Sequence, residues 1–256
     1  MKLKTLIICI SLCPALFSQI ETEELSFEFG YGLNNYAMEN LNRYFIDSIA
    51  SQSNPETLDE KIEKGERFNL SINYRPSKYF NVGLFSAYQY GSQSSTSNFQ
   101  ETDDFGNVIV QHERNYELKT EAISVGINST LFLNTLLKWD KKESKLLQNL
   151  NLGIGFNGGV GFSKVTSDMR SKSLPSVSYY DFYESMDFQG QTFIDIGYYF
   201  SKSNLFSSLG IKLGYQYFVT KTVQNRLGNE WIVKGVHPIN LDFSGLFFGT
   251  YIMIGK

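Results

Sequence analysis

The segment Leu150-Asn151-Leu152-Gly153-Ile154-Gly155-Phe156-Asn157-Gly158-Gly159-Val160-Gly161-Phe162 decides the fold. Leu150, Leu152, Ile154, Phe156, Val160 and Phe162 share one parity, and Asn151, Gly153, Gly155, Asn157, Gly159 and Gly161 share the other. A period of two sends successive side chains to opposite faces of a β-strand. The character of the second face separates a soluble sheet from a membrane-embedded one. A soluble sheet coats its wet face with Lys, Glu and Thr, and glycine there weakens the strand with no compensating contact. Inside a narrow barrel, small residues fit the restricted room. The apolar face then points outward to lipid, where only a closed sheet leaves no backbone group unpaired. The run Gly153–Gly158 formally matches G-x-G-x-x-G. It lies mid-strand with no following helix, so it reads as lumen packing and not as a phosphate cradle.

The same alternation recurs on both sides of this segment. Strands are predicted over residues 24–33, 66–75, 79–91, 115–133, 149–167, 188–201, 205–219 and 242–255. Residues 24–33 place Leu25, Phe27, Phe29, Tyr31 and Leu33 on one face, and residues 205–219 do the same with Leu209, Ile211, Leu213, Tyr215 and Tyr217. In the last strand, apolar on both faces, Leu246, Phe248, Ile252 and Ile254 are taken as outward because Gly245, Gly249 and Gly255 have the opposite parity. Connections 34–65, 92–114, 168–187 and 220–241 are long, whereas 76–78 and 202–204 are short and 134–148 is of medium length. Long outer loops alternating with short periplasmic turns fit an up-and-down barrel. In 134–148, Leu136, Leu137, Lys138 and Trp139 with the following Lys141-Lys142-Glu143 suggest a small periplasmic helix or interfacial anchor. Pro55, Pro76, Pro175 and Pro238 all fall in these connections. Tyr and Phe gather near strand ends, as in two interfacial girdles. The predicted class is all-β: an eight-stranded antiparallel up-and-down transmembrane β-barrel with one short amphipathic helix in its first outer loop.

Residues 1–18 read as a signal peptide and 19–256 as the barrel. Lys2 and Lys4 precede an apolar core from Thr5 to Leu12, too short to span a bilayer as a helix. Cleavage is placed after Ser18, with Ala15 as a second candidate. A lipoprotein reading is weaker, because Leu12 precedes Cys13 where a lipidation site has a small residue. Cleavage after Ser18 removes Cys9 and Cys13, so the mature chain has no disulfide. Loss of Lys2 and Lys4 lowers the basic count from 23 to 21 against 26 acidic residues, a net charge of −5 that argues against a nucleic-acid partner.

With the first strand following a short acidic lead after Leu16-Phe17-Ser18-Gln19, and the last strand reading Ser244-Gly245-Leu246-Phe247-Phe248-Gly249-Thr250-Tyr251-Ile252-Met253-Ile254-Gly255-Lys256, the chain resembles the small outer-membrane β-barrel proteins of Bacteroidetes, akin to OmpA/OmpW-type eight-stranded barrels. The resemblance spans the mature chain as a pattern and has no signature motif. It departs at the end, where Gly255-Lys256 replaces the terminal aromatic residue of such strands. It implies location in the cell outer membrane and contact with outer-membrane lipid. It implies little about task, since these barrels serve as adhesins, small pores, tethers and secretion components.

Inside the barrel, a two-residue turn at Ser203-Asn204 makes paired residue numbers in the sixth and seventh strands sum to 407. Asp195 then lies opposite Lys212, and a direct lumen ion pair is expected between them. Glu28, Arg67 and Arg75 have lumen parity and would extend that network. Residues 34–51 carry Met38, Leu41, Phe45 and Ile49 at helical spacing. Such a helix packs on the rim, closes the lumen as a lid, or docks a partner; any protein partner would use it or the outer loops. His112 and His237 fall in outer loops, and His237 with Ser244 and Asp242 could be drawn as a rim-side triad, although no spacing motif supports it. No catalytic residue, metal site or cofactor is expected. The leading expectation is a non-enzymatic barrel with a structural, interaction or small-solute role. The alternatives are an outer-membrane lipid-modifying enzyme and a soluble periplasmic ligand-binding barrel.

Overall fold

The computed structural model describes residues 24–46, 61–102, 105, 108–139, 144–171, 178–200, 206–233 and 237–255. The signal-peptide reading of residues 1–18 lies outside them. Eight long strands form one closed antiparallel barrel: β1 (Glu24–Asn35), β2 (Lys64–Ser77), β3 (Phe80–Thr102), β4 (Val108–Phe132), β5 (Leu150–Ser171), β6 (Tyr179–Tyr199), β7 (Phe206–Tyr217) and β12 (Gly245–Gly255). Each pairs with its neighbours in chain order, and β1 closes the ring against both β2 and β12. Between β7 and β12 lie four short strands, β8 (Val219–Thr222), β9 (Ile232–Val233), β10 (His237–Pro238) and β11 (Asn240–Asp242).

Side-chain parity follows the sequence pattern. Leu84 is 62 % exposed and Ile127 64 %, and Phe29, Leu70, Ile154, Ile194, Leu213 and Phe248 are exposed with them. Tyr251 and Phe193, of opposite parity, are buried at 3 % and 4 %. An exposed aliphatic surface of this extent is unsuited to water and suited to hydrocarbon. In β12 the choice of Leu246, Phe248 and Ile252 as outward holds, since all three are exposed while Phe247, Tyr251 and Met253 are buried.

Several boundaries differ from the sequence reading. Pairing of β3 with β4 continues to Thr102↔Val108, and that of β5 with β6 to Met169↔Tyr179. Much of the supposed outer loops 92–114 and 168–187 is therefore strand. Beyond the membrane neither face of a hairpin meets lipid, so alternation fades while backbone pairing persists, and Ser/Thr/Asn-rich sequence such as residues 92–98 reads as loop. The helix expected over 34–51 does not begin at Asn34. Asn34 and Asn35 end β1, and the helical turn, π-type, is Leu41–Ile46. Met38, before it, takes φ 33°, an unusual left-handed conformation for a non-glycine residue. Ile49 lies outside the described residues, as does the side chain of Phe45. The connection 134–148 contains two short helices, α1 (Leu133–Leu136) and α2 (Lys145–Asn149). Pro76 is not in a turn but near the end of β2, at a register shift between Tyr74 and Ser77. Pro238 is in the two-residue β10. Both are places where a missing N–H is tolerated.

Candidate functional site

Buried charge gathers in the barrel lumen, around Glu28, Arg67 and Lys212. The 407 register is present: Asp195 pairs with Lys212, Ile196 with Ile211, and Tyr199 with Ser208. The turn at Ser203-Asn204 lies outside the described residues. The expected direct ion pair is not formed. The Lys212 ammonium instead reaches past β12 and donates to the Glu28 carboxylate on β1, and Asp195 accepts a hydrogen bond of 2.7 Å from the Tyr251 hydroxyl. Backbone pairing sets Cα positions, but a long lysine stem chooses among all carboxylates within reach. In a narrow lumen Glu28 is as near as a pairing partner. Lys212 also lies 5.0 Å from the Phe193 ring centroid and 4.9 Å from that of Tyr251, distances at which an aromatic face stabilises a cation.

Arg67 forms the next layer. Its guanidinium donates to Asn69 (2.6 Å), Gln191 (2.6 Å) and Gln216 (3.1 Å) and lies 4.7 Å from the Phe247 ring centroid. Gln216 also exchanges hydrogen bonds of 3.0 Å with Gln89. Glu28 and Asp195 are thus balanced by Lys212 and Arg67 within one buried network, the condition under which buried charge is tolerable. Arg75 does not join it. It sits at the turn end, 4.4 Å from the Phe132 ring centroid, and donates to the Lys78 carbonyl at 2.9 Å.

The lumen glycines make room for rings. A Cβ on Gly155 would overlap the Phe193 ring, and one on Gly210 would overlap Tyr251. In the G-x-G-x-x-G match, Gly153 and Gly155 are thus lumen packing positions, whereas Gly158 has outward parity beside Phe156 and does not line the lumen. Gly155→Val is expected to lower the urea midpoint of unfolding, by about 1–3 kcal/mol of overpacking, and Phe193→Ala in the same chain should recover part of the loss. A purely additive double variant would count against the contact. The space left among Glu28, Arg67, Asn157, Gln191, Lys212 and Tyr251 admits little more than water.

Above this network the wider end is sealed by an apolar core. Met38, Leu41, Phe218, Val223, Ile239, Leu241 and Phe243 are each 0 % exposed and join Tyr36, Ile62, Leu118, Ala122 and Val165. Phe218 stacks on Phe243 at 5.3 Å, and Tyr36 meets Phe243 edge-on at 5.3 Å. Backbone bonds Ala37 N–H to Ser244 O (3.1 Å) and Met38 N–H to Asp242 O (3.0 Å) tie the first connection to the last. Gln216 donates to the Phe243 carbonyl at 2.9 Å, joining cap to lumen. Burial pushes the Tyr36 hydroxyl well above its usual pKa, with Arg67 acting in the opposite sense, so Tyr36 stays neutral. Both amide atoms of Gln189 are buried without a hydrogen-bond partner among the described residues. Gln189→Leu is therefore expected to leave the unfolding midpoint unchanged or raised; a loss above about 2 kcal/mol would mean that the amide is hydrogen-bonded.

The residues of the drawn triad have structural partners. Asp242 Oδ1 accepts the Ser244 N–H at 2.8 Å, and the Ser244 hydroxyl accepts the Phe218 N–H at 3.0 Å. His237 is in β10, opposite Val233. His112 is in β4, opposite Phe99, and its side chain lies outside the described residues. The sequence reading missed the glutamine layer of Gln89, Gln191 and Gln216. Their lumen parity was readable, but glutamine on a strand is equally common facing water.

No protein-family model matches the chain, and no curated protein sequence matches it. Among solved structures it is similar to Ail, the attachment invasion locus protein of Yersinia pestis, in complex with the heparin analogue sucrose octasulfate, with 10% identity, TM-score 0.38, and coverage of 91% of this chain and 96% of that one. It is also similar to the outer membrane protease OmpT of Escherichia coli, with 11% identity, TM-score 0.33, and coverage of 91% and 94%. A third is the translocator domain of autotransporter NalP of Neisseria meningitidis, with 9% identity, TM-score 0.25, and coverage of 98% and 94%. At these values nothing about the activity of those proteins passes to this chain.

Proposed function

We propose that this chain is a non-enzymatic integral barrel of the bacterial outer membrane, closed to solute passage, with a structural or interaction role carried by its outer face. The observation that carries this reading is the lumen: charge-balanced side chains fill it, and an apolar core built from the first and last outer connections seals it. A conducting barrel keeps a continuous wet path, and a lumen filled and capped in this way opposes one. The lid reading of Met38 and Leu41 follows from their place in that core. The paired outer extensions of β3–β4 and β5–β6 give a partner a rigid sheet in place of flexible loops. A lipid-modifying role draws no support from Ser244, whose hydroxyl is buried and already accepting a hydrogen bond.

Planar-bilayer recording on the refolded protein tests closure. The wild type is expected to give no stable conductance steps, whereas a chain whose cap is loosened by Phe218→Ala and Phe243→Ala should give intermittent ones. Steady wild-type conductance would overturn the reading. On the enzymatic side, the lipid profile of cells expressing wild type should equal that of cells expressing His237→Ala.

A further inference from the structure

We propose that the turn end of the barrel carries a basic and aromatic collar, Lys78, Tyr79, Lys138, Trp139 and Lys145, that docks on the headgroups of anionic glycerophospholipids in the periplasmic leaflet. The inference rests on the membrane-barrel reading and adds a lipid class and a leaflet to it.

Charge along the chain is distributed unevenly. The mature sequence is acidic, yet connections 76–79, 133–149 and 200–205 together hold six lysines against Asp140 and Glu143. These are the shorter connections, and they share an end with both barrel termini, since Ser26 pairs with Gly255. That end is periplasmic in an up-and-down barrel.

The second observation is packing. Helices α1 and α2 bury no residue. Leu136 and Leu137 are 53% and 54% exposed, and Leu146 is 64% exposed. On a water-facing turn these leucines would have no favourable contact. The outward band reaches the start of this connection, because Leu131, two residues before α1, is exposed and pairs with the outward Ile154. Apolar side chains next to the lipid-facing band, flanked by lysines and a tryptophan, have the composition of an interfacial anchor.

The third observation is that the pieces form one surface. The Thr135 hydroxyl donates to the Lys78 carbonyl at 3.0 Å, and the Phe132 N–H donates to the Tyr79 carbonyl at 2.7 Å. Asn149 donates to the Tyr198 hydroxyl at 3.2 Å, which fixes α2 against β6. Lys78 lies 5.2 Å from the Tyr79 ring centroid. Lys138 takes φ 55° and is exposed, as is Lys145. Among the described residues none of these three lysines has a carboxylate within 4 Å. Lysine stems can lie along apolar surface while the ammonium reaches phosphate. The sign of the charge selects an anionic headgroup over a zwitterionic one.

The chain has two tryptophans, so a Trp231→Phe background leaves Trp139 as the reporter. The protein is refolded into vesicles of phosphatidylcholine mixed with phosphatidylglycerol, either of them brominated near the carbonyl end of its chains. Brominated phosphatidylglycerol is expected to quench Trp139 with an apparent binding constant at least fivefold above that of brominated phosphatidylcholine, the order expected for one well-placed lysine. The preference should disappear in the Lys78→Gln, Lys138→Gln, Lys145→Gln triple variant and in 1 M salt. Equal quenching by both lipids, or none, overturns the proposal. Heat-modifiable gel mobility is read on the same vesicles: a shift without Trp139 quenching refutes the collar alone, and absence of a shift refutes the barrel reading beneath it. Lipid that copurifies with otherwise unaltered protein gives an independent check. It should be several-fold richer in phosphatidylglycerol for wild type than for the triple variant, and equal ratios overturn the proposal.

Discussion

Ile196→Arg is expected to lose about 2–4 kcal/mol of folding stability in a bilayer, the cost of an arginine on the lipid face near the midplane. Ile196 lies between Leu152 on β5 and Ile211 on β7. It points outward with 40 % of its surface exposed. No carboxylate lies beside it on that face: the directly paired Leu152 and Ile211 are aliphatic, and the buried Asp195 projects to the opposite side. The guanidinium would have to snorkel or draw water into the hydrocarbon. Urea titration of the refolded protein in liposomes, read by heat-modifiable mobility, measures the loss. A variant that folds and unfolds like wild type would mean that the inward and outward faces have been exchanged.

Lys212→Met is expected to cost about 3–5 kcal/mol, because it removes the ammonium partner of the buried Glu28 carboxylate. Glu28 is 4 % exposed, so water cannot readily replace the lost ammonium. The companion Glu28→Gln, Lys212→Met double variant removes both charges and should recover most of the stability. Its sum with the single variants gives the coupling directly. A double variant as unstable as Lys212→Met alone would show that the lysine acts through its stem packing against Phe193 and Tyr251, and not through Glu28.

The barrel was legible because its information is repeated. Every strand states which face meets lipid, and a one-residue slip would turn all of a strand's aliphatics inward, so parity at Leu152, Ile196 and Ile211 determines register as well as orientation. The 407 pairing of β6 and β7 came from a two-residue turn at Ser203-Asn204, with that constraint excluding a one-residue slip. Side-chain partnership carries no such repetition. Asp195 and Lys212 do face each other across one ladder, yet the ammonium crosses to Glu28, a residue 184 positions away in sequence, and nothing in the pattern ranks that reach above the nearer one. The cap was only half legible for a related reason. Met38 and Leu41 showed helical spacing, but of their partners Ile239 and Leu241 sit in a connection that reads as irregular, and Phe218 and Phe243 sit at the outermost ends of predicted strands. A core assembled from two distant loops leaves no period in either. The outer hairpins failed in the opposite way, since residues 92–98 keep their strand pairing without any apolar face to announce it.

The central claim is that the aliphatic surface of the closed barrel faces lipid and not a protein interior or solvent. The most direct measurement is cell fractionation followed by electrophoresis with and without boiling. The account predicts a protein recovered with the outer membrane, migrating faster unboiled than boiled because the closed sheet resists detergent until heated. A protein recovered in the soluble periplasmic fraction, with the same mobility before and after boiling, would contradict it.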